Sequence, residues 1–167
     1  MGIEDLPEDK EAKAYAAAVA ILRESPDLAV VKTWGVLLDD PDEAGACFAD
    51  QTIDMMPMVR VIPGAKPDQG LTGGQSTSTI VFQVRISAAG TDARHLLNLW
   101  SAVRRAWIGS AKFRDTTVKC FLDRELKATH FDVTSPGYGY GRDARIETGP
   151  YYLSGVGQIE ISFMRPR

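Results

Sequence analysis

The sequence predicts an α+β domain: a mainly antiparallel sheet with two principal helices packed on one face, and long polar loops. Three stretches carry that expectation. Ile80, Phe82, Val84 and Ile86 alternate with Val81, Gln83, Arg85 and Ser87, which is the period of a half-buried strand. Just after it, Ala93, Leu96, Leu97, Trp100, Val103 and Trp107 recur at helical spacing. Near the C-terminus Ile159, Ile161 and Phe163 alternate with Gln158, Glu160 and Ser162. Matching the two periods gives a buried sheet face of Phe82, Val84, Ile86, Ile159, Ile161 and Phe163, covered by Leu97, Trp100, Val103 and Trp107.

The elements follow in order. Pro7 near the first helical position, with Glu8 and Asp9 in the first turn, starts a helix that Ser25-Pro26 stops. Its apolar stripe is Tyr15, Ala18, Val19 and Leu22, and its many alanines raise helix propensity and permit close packing. Val30 to Leu38 is β-rich and runs into the acidic turn Asp39 to Glu43; Met58 to Ile62 reads as a second strand closed by Pro63-Gly64. From Gly64 to Ser78 only Leu71 offers an apolar side chain, so this stretch is expected to be a long loop ordered by a partner. Thr91 and Asp92 offer N-cap oxygens to the second helix, and Gly109 ends it. Thr116 to Leu122, Ala128 to Thr134 and Gly157 to Met164 are strand candidates, with a second polar loop from Ser135 to Gly155.

At 167 residues, 44% apolar and 25% charged, the chain is sized for one domain, 1–167, with its own core. No run approaches the ~20 apolar residues of a membrane span, and the acidic N-terminus lacks the basic and apolar regions of a secretory signal. Cys47 and Cys120 are isolated, which fits reduced thiols rather than a disulfide scaffold or a zinc site. A net charge of −3 argues against gripping nucleic acid, which needs a surplus of Lys and Arg on one face.

Motifs for chemistry fail one by one. Asp39 to Asp50 resembles a cation loop, but Pro41 and Ala44 occupy positions that an EF-hand forbids or gives to glycine. Gly137-Tyr138-Gly139-Tyr140-Gly141 alternates glycines without opening an apolar-striped helix, as a phosphate cradle would. His95 and His130 have no ligand-type residue at metal spacing. No nucleophile elbow or paired-carboxylate motif occurs, so no catalytic, cofactor or metal residues are expected. Protein contact is the better use of what remains. Tyr138, Tyr140 and nearby Arg142 are interface-type residues. Arg94, Asn98, Ser101 and Arg105 line the outer side of the second helix, either as a solvated face or, through Arg94 and Arg105, as a salt-bridged subunit contact with the acidic turn Asp39 to Glu43.

The layout resembles the tail terminator (tail completion) proteins of long-tailed bacteriophages. The matching features are the alanine-rich first helix running into Ile21-Leu22-Arg23 and Pro26-Asp27-Leu28, and the strand Pro57 to Val61. Phe82 to Ile86, followed by Leu96 to Trp100 and Val103 to Trp107, and the closing strand Val156 to Phe163 complete the pattern. The resemblance implies a virion subunit, assembled in the host cytoplasm, that forms a hexameric ring on the tail tube protein and stops tube growth. The ring then meets the head–tail connector or stopper, and DNA passes through its lumen without being held. It implies no enzyme activity and no cofactor. The two polar stretches are longer than in a minimal member and also fit a head-completion or stopper protein of the neck. Two readings of other classes stand beside it: a small non-viral α+β binding domain, and an enzyme whose site is assembled from distant residues.

Overall fold

The computed structural model describes residues 2–7, 10–65, 69–70, 75–109, 128–142 and 151–166. Helix α1 spans Lys10–Glu24 and is followed by a 3-10 turn, Pro26–Leu28. Strand β1 (Thr33–Val36) leads into the short helix α2 (Pro41–Ala46), and β2 covers Met58–Ala65. The two-residue β3 (Gln69–Gly70) precedes β4 (Gln75–Ala89), and α3 (Ala93–Arg104) continues through a π turn at Arg105–Gly109. Strands β5 (Ala128–Arg142) and β6 (Tyr151–Pro166) end the fold.

The strands form one sheet in the order β1-β2-β4-β6-β5, with β3 also paired to β4. Every pairing is antiparallel except β1 with β2. The fold is therefore α+β with a mainly antiparallel sheet. Both principal helices pack on one face: Ile80, Phe82, Val84 and Ile86 of β4 share a single core with Tyr15, Val19 and Leu22 of α1 and Leu96, Trp100 and Val103 of α3. Val59 and Val61 of β2 and Ile159 and Ile161 of β6 extend that face on either side, as the registers Val59↔Ile86 and Phe82↔Ile159 require. Burial of each such side chain stabilises by about 1.5–3 kcal/mol.

Four expectations are corrected. The first concerns Leu97, which is 46% exposed, because the buried stripe of α3 runs through Leu96, Leu99, Trp100 and Val103 and passes it by. Trp107 is only partly buried against the core, and the side chain of Phe163 lies outside the described residues.

Second, the described residues between Gly64 and Ser78 are strand: β2 passes through Pro63-Gly64 to Ala65, β3 pairs on the same edge of β4, and β4 begins at Gln75. Third, Ser135 to Gly155 is strand at both ends, with β5 reaching Arg142 and β6 starting at Tyr151. Polar side chains do not prevent this. A strand is held by its ladder of backbone hydrogen bonds, and β4 finds a partner in β6 at every position from Gln75↔Pro166 to Ala89↔Tyr152.

Fourth, the acidic turn is the first turn of α2, with the Asp40 carboxylate accepting hydrogen bonds from the Asp42 and Glu43 amides. The strand candidate Thr116 to Leu122 and Cys120 lie outside the described residues.

Helix α2 covers part of the opposite face of the sheet, where Ala46, Met56 and Met58 make a small second core with Tyr152 packed against it. The rest of that outer face is mixed, with Ile62, the buried Val81 and the exposed Val156 among polar groups. It presents Gln83 and Arg85 of β4 and Gln158 and Glu160 of β6.

Candidate interaction site

The alternating glycines and tyrosines of β5 form an arm of the sheet. Tyr138 stands opposite Gly155 and Tyr140 opposite Leu153, and Leu153 packs against the main core, so both rings stand on the side that carries the helices. They are nevertheless exposed, Tyr138 by 54% and Tyr140 by 79%, because they lie beyond the reach of α1 and α3. Tyr140 meets Tyr151 of β6 edge to face, with ring centroids 6.4 Å apart. Gly141 is the close-approach position of this arm: a Cβ there would fall 2.4 Å from the Tyr152 ring, which lies across it on the outer face. The side chain of Arg142 lies outside the described residues.

The arm ends beside the N-terminus of α3, where the Gly90 amide donates to the Tyr151 carbonyl at 2.8 Å. Asp92 caps that helix, accepting from the Arg94 amide at 3.0 Å and pairing with the Arg94 guanidinium at 2.7 Å. This pairing holds the Asp92 carboxyl below its ordinary range and raises the Arg94 guanidinium. Arg105, at the other end of α3, pairs with Asp27 at 3.0 Å. Both arginines proposed from sequence therefore hold carboxylates of their own chain, and neither of these is in the acidic stretch. Glu43 of that stretch pairs instead with Arg23, whose guanidinium also stands 5.5 Å above the Trp34 ring.

Between α3 and the Pro26–Leu28 turn lies a groove of about 480 Å³, lined by Val30, Pro57, Ala88, Ala89, Leu99 and Ala102 with Asp27, His95, Asn98 and Arg105. Val30 is exposed there, offering an apolar wall beside polar groups. The groove lies on the β2–β4 side of α3 and the tyrosine arm on the β5–β6 side. The residues predicted from sequence are thus divided: Tyr138 and Tyr140, with Arg94 near their end of the sheet, on one side, and Arg105 with Asn98 on the other. The side chain of His130 lies outside the described residues.

The sequence reading missed a second polar centre on the outer face. Arg60 of β2 is 6% exposed and stands directly opposite Arg85 of β4. Its Nη1 donates to the Cys47 carbonyl at the C-terminus of α2, 3.4 Å away, while its buried Nε has no hydrogen-bond partner. Burial, and then Arg85, push this guanidinium below its ordinary value, partly offset by Cys47 and Tyr152. Gly35 of β1 makes room for it, since a Cβ there would sit 2.6 Å from the Arg60 Cγ. The signal was present as a charged residue in the middle of the apolar run Met58-Val59-Arg60-Val61. Among the described residues, no group of three or more His, Cys, Asp or Glu is placed to hold a metal ion, and no helix is long and apolar enough to cross a membrane.

No protein-family model matches the chain, and no curated protein matches it either.

Proposed function

We propose that the chain is a structural subunit of a bacteriophage neck, one of a hexameric ring of copies at the head-proximal end of the tail. The ring ends the tail tube and joins it to the head connector. A ring of identical copies needs two different surfaces on each subunit, complementary to one another and offset so that the contact repeats head to tail.

The observation that carries the reading is such a pair: an exposed tyrosine arm on one side of α3 and a groove of about 480 Å³ on the other. A phenol ring has an apolar body and a polar tip, and the groove offers Val30, Pro57, Leu99 and Ala102 beside Asp27, His95, Asn98 and Arg105. The arm of one copy enters the groove of the next. Because the tyrosines stand on a paired strand rather than a floppy loop, little entropy is lost when they dock. The net charge of −3 suits a lumen through which DNA slides, since binding strength follows the number of phosphates neutralised. The order of elements that carries the resemblance to tail terminators adds independent support.

Paired cysteines test the contact. In the double variant Tyr140→Cys with Asn98→Cys, assembled particles should yield a ladder of disulfide-linked multimers under oxidation, and neither single variant should. A double variant that assembles but gives only monomers contradicts this arrangement of copies.

A further inference from the structure

The outer face of the sheet sets Arg60 and Arg85 opposite one another on neighbouring strands. Arg60 and Arg85 are cross-strand partners in the β2–β4 ladder, where Cβ atoms stand about 4.5–5.5 Å apart and like charges repel. No ion pair joins either of them to a carboxylate among the described residues. A buried cation of this kind is strongly disfavoured unless its charge and its donors are answered. The backbone carbonyl of Cys47 answers only one donor of Arg60, at the long distance of 3.4 Å, and Nε is left with none.

The surroundings hold this arrangement in place instead of relieving it. Gly35 leaves the space that the Arg60 stem fills. Arg85 is fixed by its Nε donating to the Gln83 side chain at 2.9 Å, and it is only partly covered, so the pair is approached from the Arg85 side. Two residues along the same face of β4, Ser87 donates to the side-chain Oε1 of Gln51.

We propose that Arg60 and Arg85 form a receptor for a carboxylate, with Arg60 as its floor and Arg85 as its rim. A planar carboxylate has two acceptor oxygens, enough to bridge the two guanidinium groups from the Arg85 side, and a guanidinium fork fits that geometry. A phosphate dianion would have to shed a larger hydration shell in a site with fewer donors than it has lone pairs. The carboxylate comes from a small organic acid or from an Asp or Glu side chain of a second copy of this chain, which carries 22 acidic residues. The inference does not depend on the proposed neck function.

Side-chain NMR of the full-length 15N-labelled chain reads the site directly. The Arg60 Nε–Hε signal is assigned by through-bond correlation from its own backbone, and acetate is titrated against chloride at constant ionic strength. A saturable shift of that signal is expected, with affinity about tenfold or more weaker in Arg85→Gln, which leaves the buried Arg60 in place. A shift that grows with protein concentration alone, and is competed by acetate, identifies the second copy as the source. The proposal is overturned if acetate produces no saturable shift, if Arg85→Gln binds as tightly as the parent, or if inorganic phosphate saturates the site and acetate does not.

Discussion

The Tyr15 hydroxyl donates to the carbonyl of Val61 at 2.5 Å, tying α1 to β2, and in turn accepts the Leu37 amide at 3.0 Å. One phenol therefore pins a helix to two neighbouring segments of the sheet while its ring meets Phe82, with centroids 5.4 Å apart. Replacing it by phenylalanine keeps the ring and strands both backbone groups, which should lower stability by about 1–3 kcal/mol in urea unfolding.

The same contact sets an alkaline limit. Burial pushes the Tyr15 phenol above its ordinary value of 10.0, and burial pushes the Cys47 thiol above its ordinary value of 9.0. Both groups are neutral when protonated, so the folded state keeps its protons where the unfolded chain releases them. Stability should be full below about pH 9 and fall as pH rises through the ordinary thiol and phenol range. In Tyr15→Phe the phenol part of that fall should vanish, leaving a shallower decline above pH 10 in pH-dependent denaturation.

Core packing separates two neighbours on α3. Trp100 is 7% exposed and Leu97 is 46% exposed. Trp100→Ala should cost about 3–5 kcal/mol and Leu97→Ala no more than about 0.5 kcal/mol. Equal effects on thermal unfolding would remove the stripe assigned to this helix.

Gly35→Ala tests the space around Arg60. The added Cβ would meet the Arg60 stem at 2.6 Å, in the middle of a buried side chain that has no free end to swing away. The variant should lose about 1–3 kcal/mol, as overpacked sites do. It should also shift the Arg60 Nε–Hε signal.

The Arg105–Asp27 pair is a surface pair, with side chains 61% and 50% exposed. Asp27→Asn should therefore change stability by no more than about 1 kcal/mol. Because both residues line the groove, the change should appear in association between copies, measured as a shift in the salt dependence of assembly.

Much of the architecture was legible in the sequence because period and burial coincide there. The alternation of Ile80 to Ile86 gave the central strand, and the Asp92 cap and the spacing of Leu96, Trp100 and Val103 gave α3. The stripe was misread at one residue, with Leu97 in place of Leu99 two positions on, since either can flank Leu96 and Trp100 at the edge of an apolar face until the sheet beneath chooses between them. The arms were missed for a different reason. Gln75 to Thr79 and Ser135 to Arg142 are too polar or too glycine-rich to announce strands, and their order comes from ladder partners far along the chain. The exposed tyrosines were found by residue type, but their alignment on one face depended on recognising that strand. The Arg60–Arg85 pair depended on register, which brings together residues from two strands and which no local pattern reports.

The central claim is that the chain is a structural part of a phage neck, and deleting its gene tests this most directly. Electron microscopy of the deletion lysate should show heads and tails that form separately and do not join, with tails of abnormal length among them, and the intact gene supplied in trans should restore joined particles. Replacing Tyr138 and Tyr140 together by alanine should fail to restore them although the variant folds, because both side chains lie outside the core. Normal numbers of joined, infectious particles with tails of normal length in the absence of the gene would contradict the assignment.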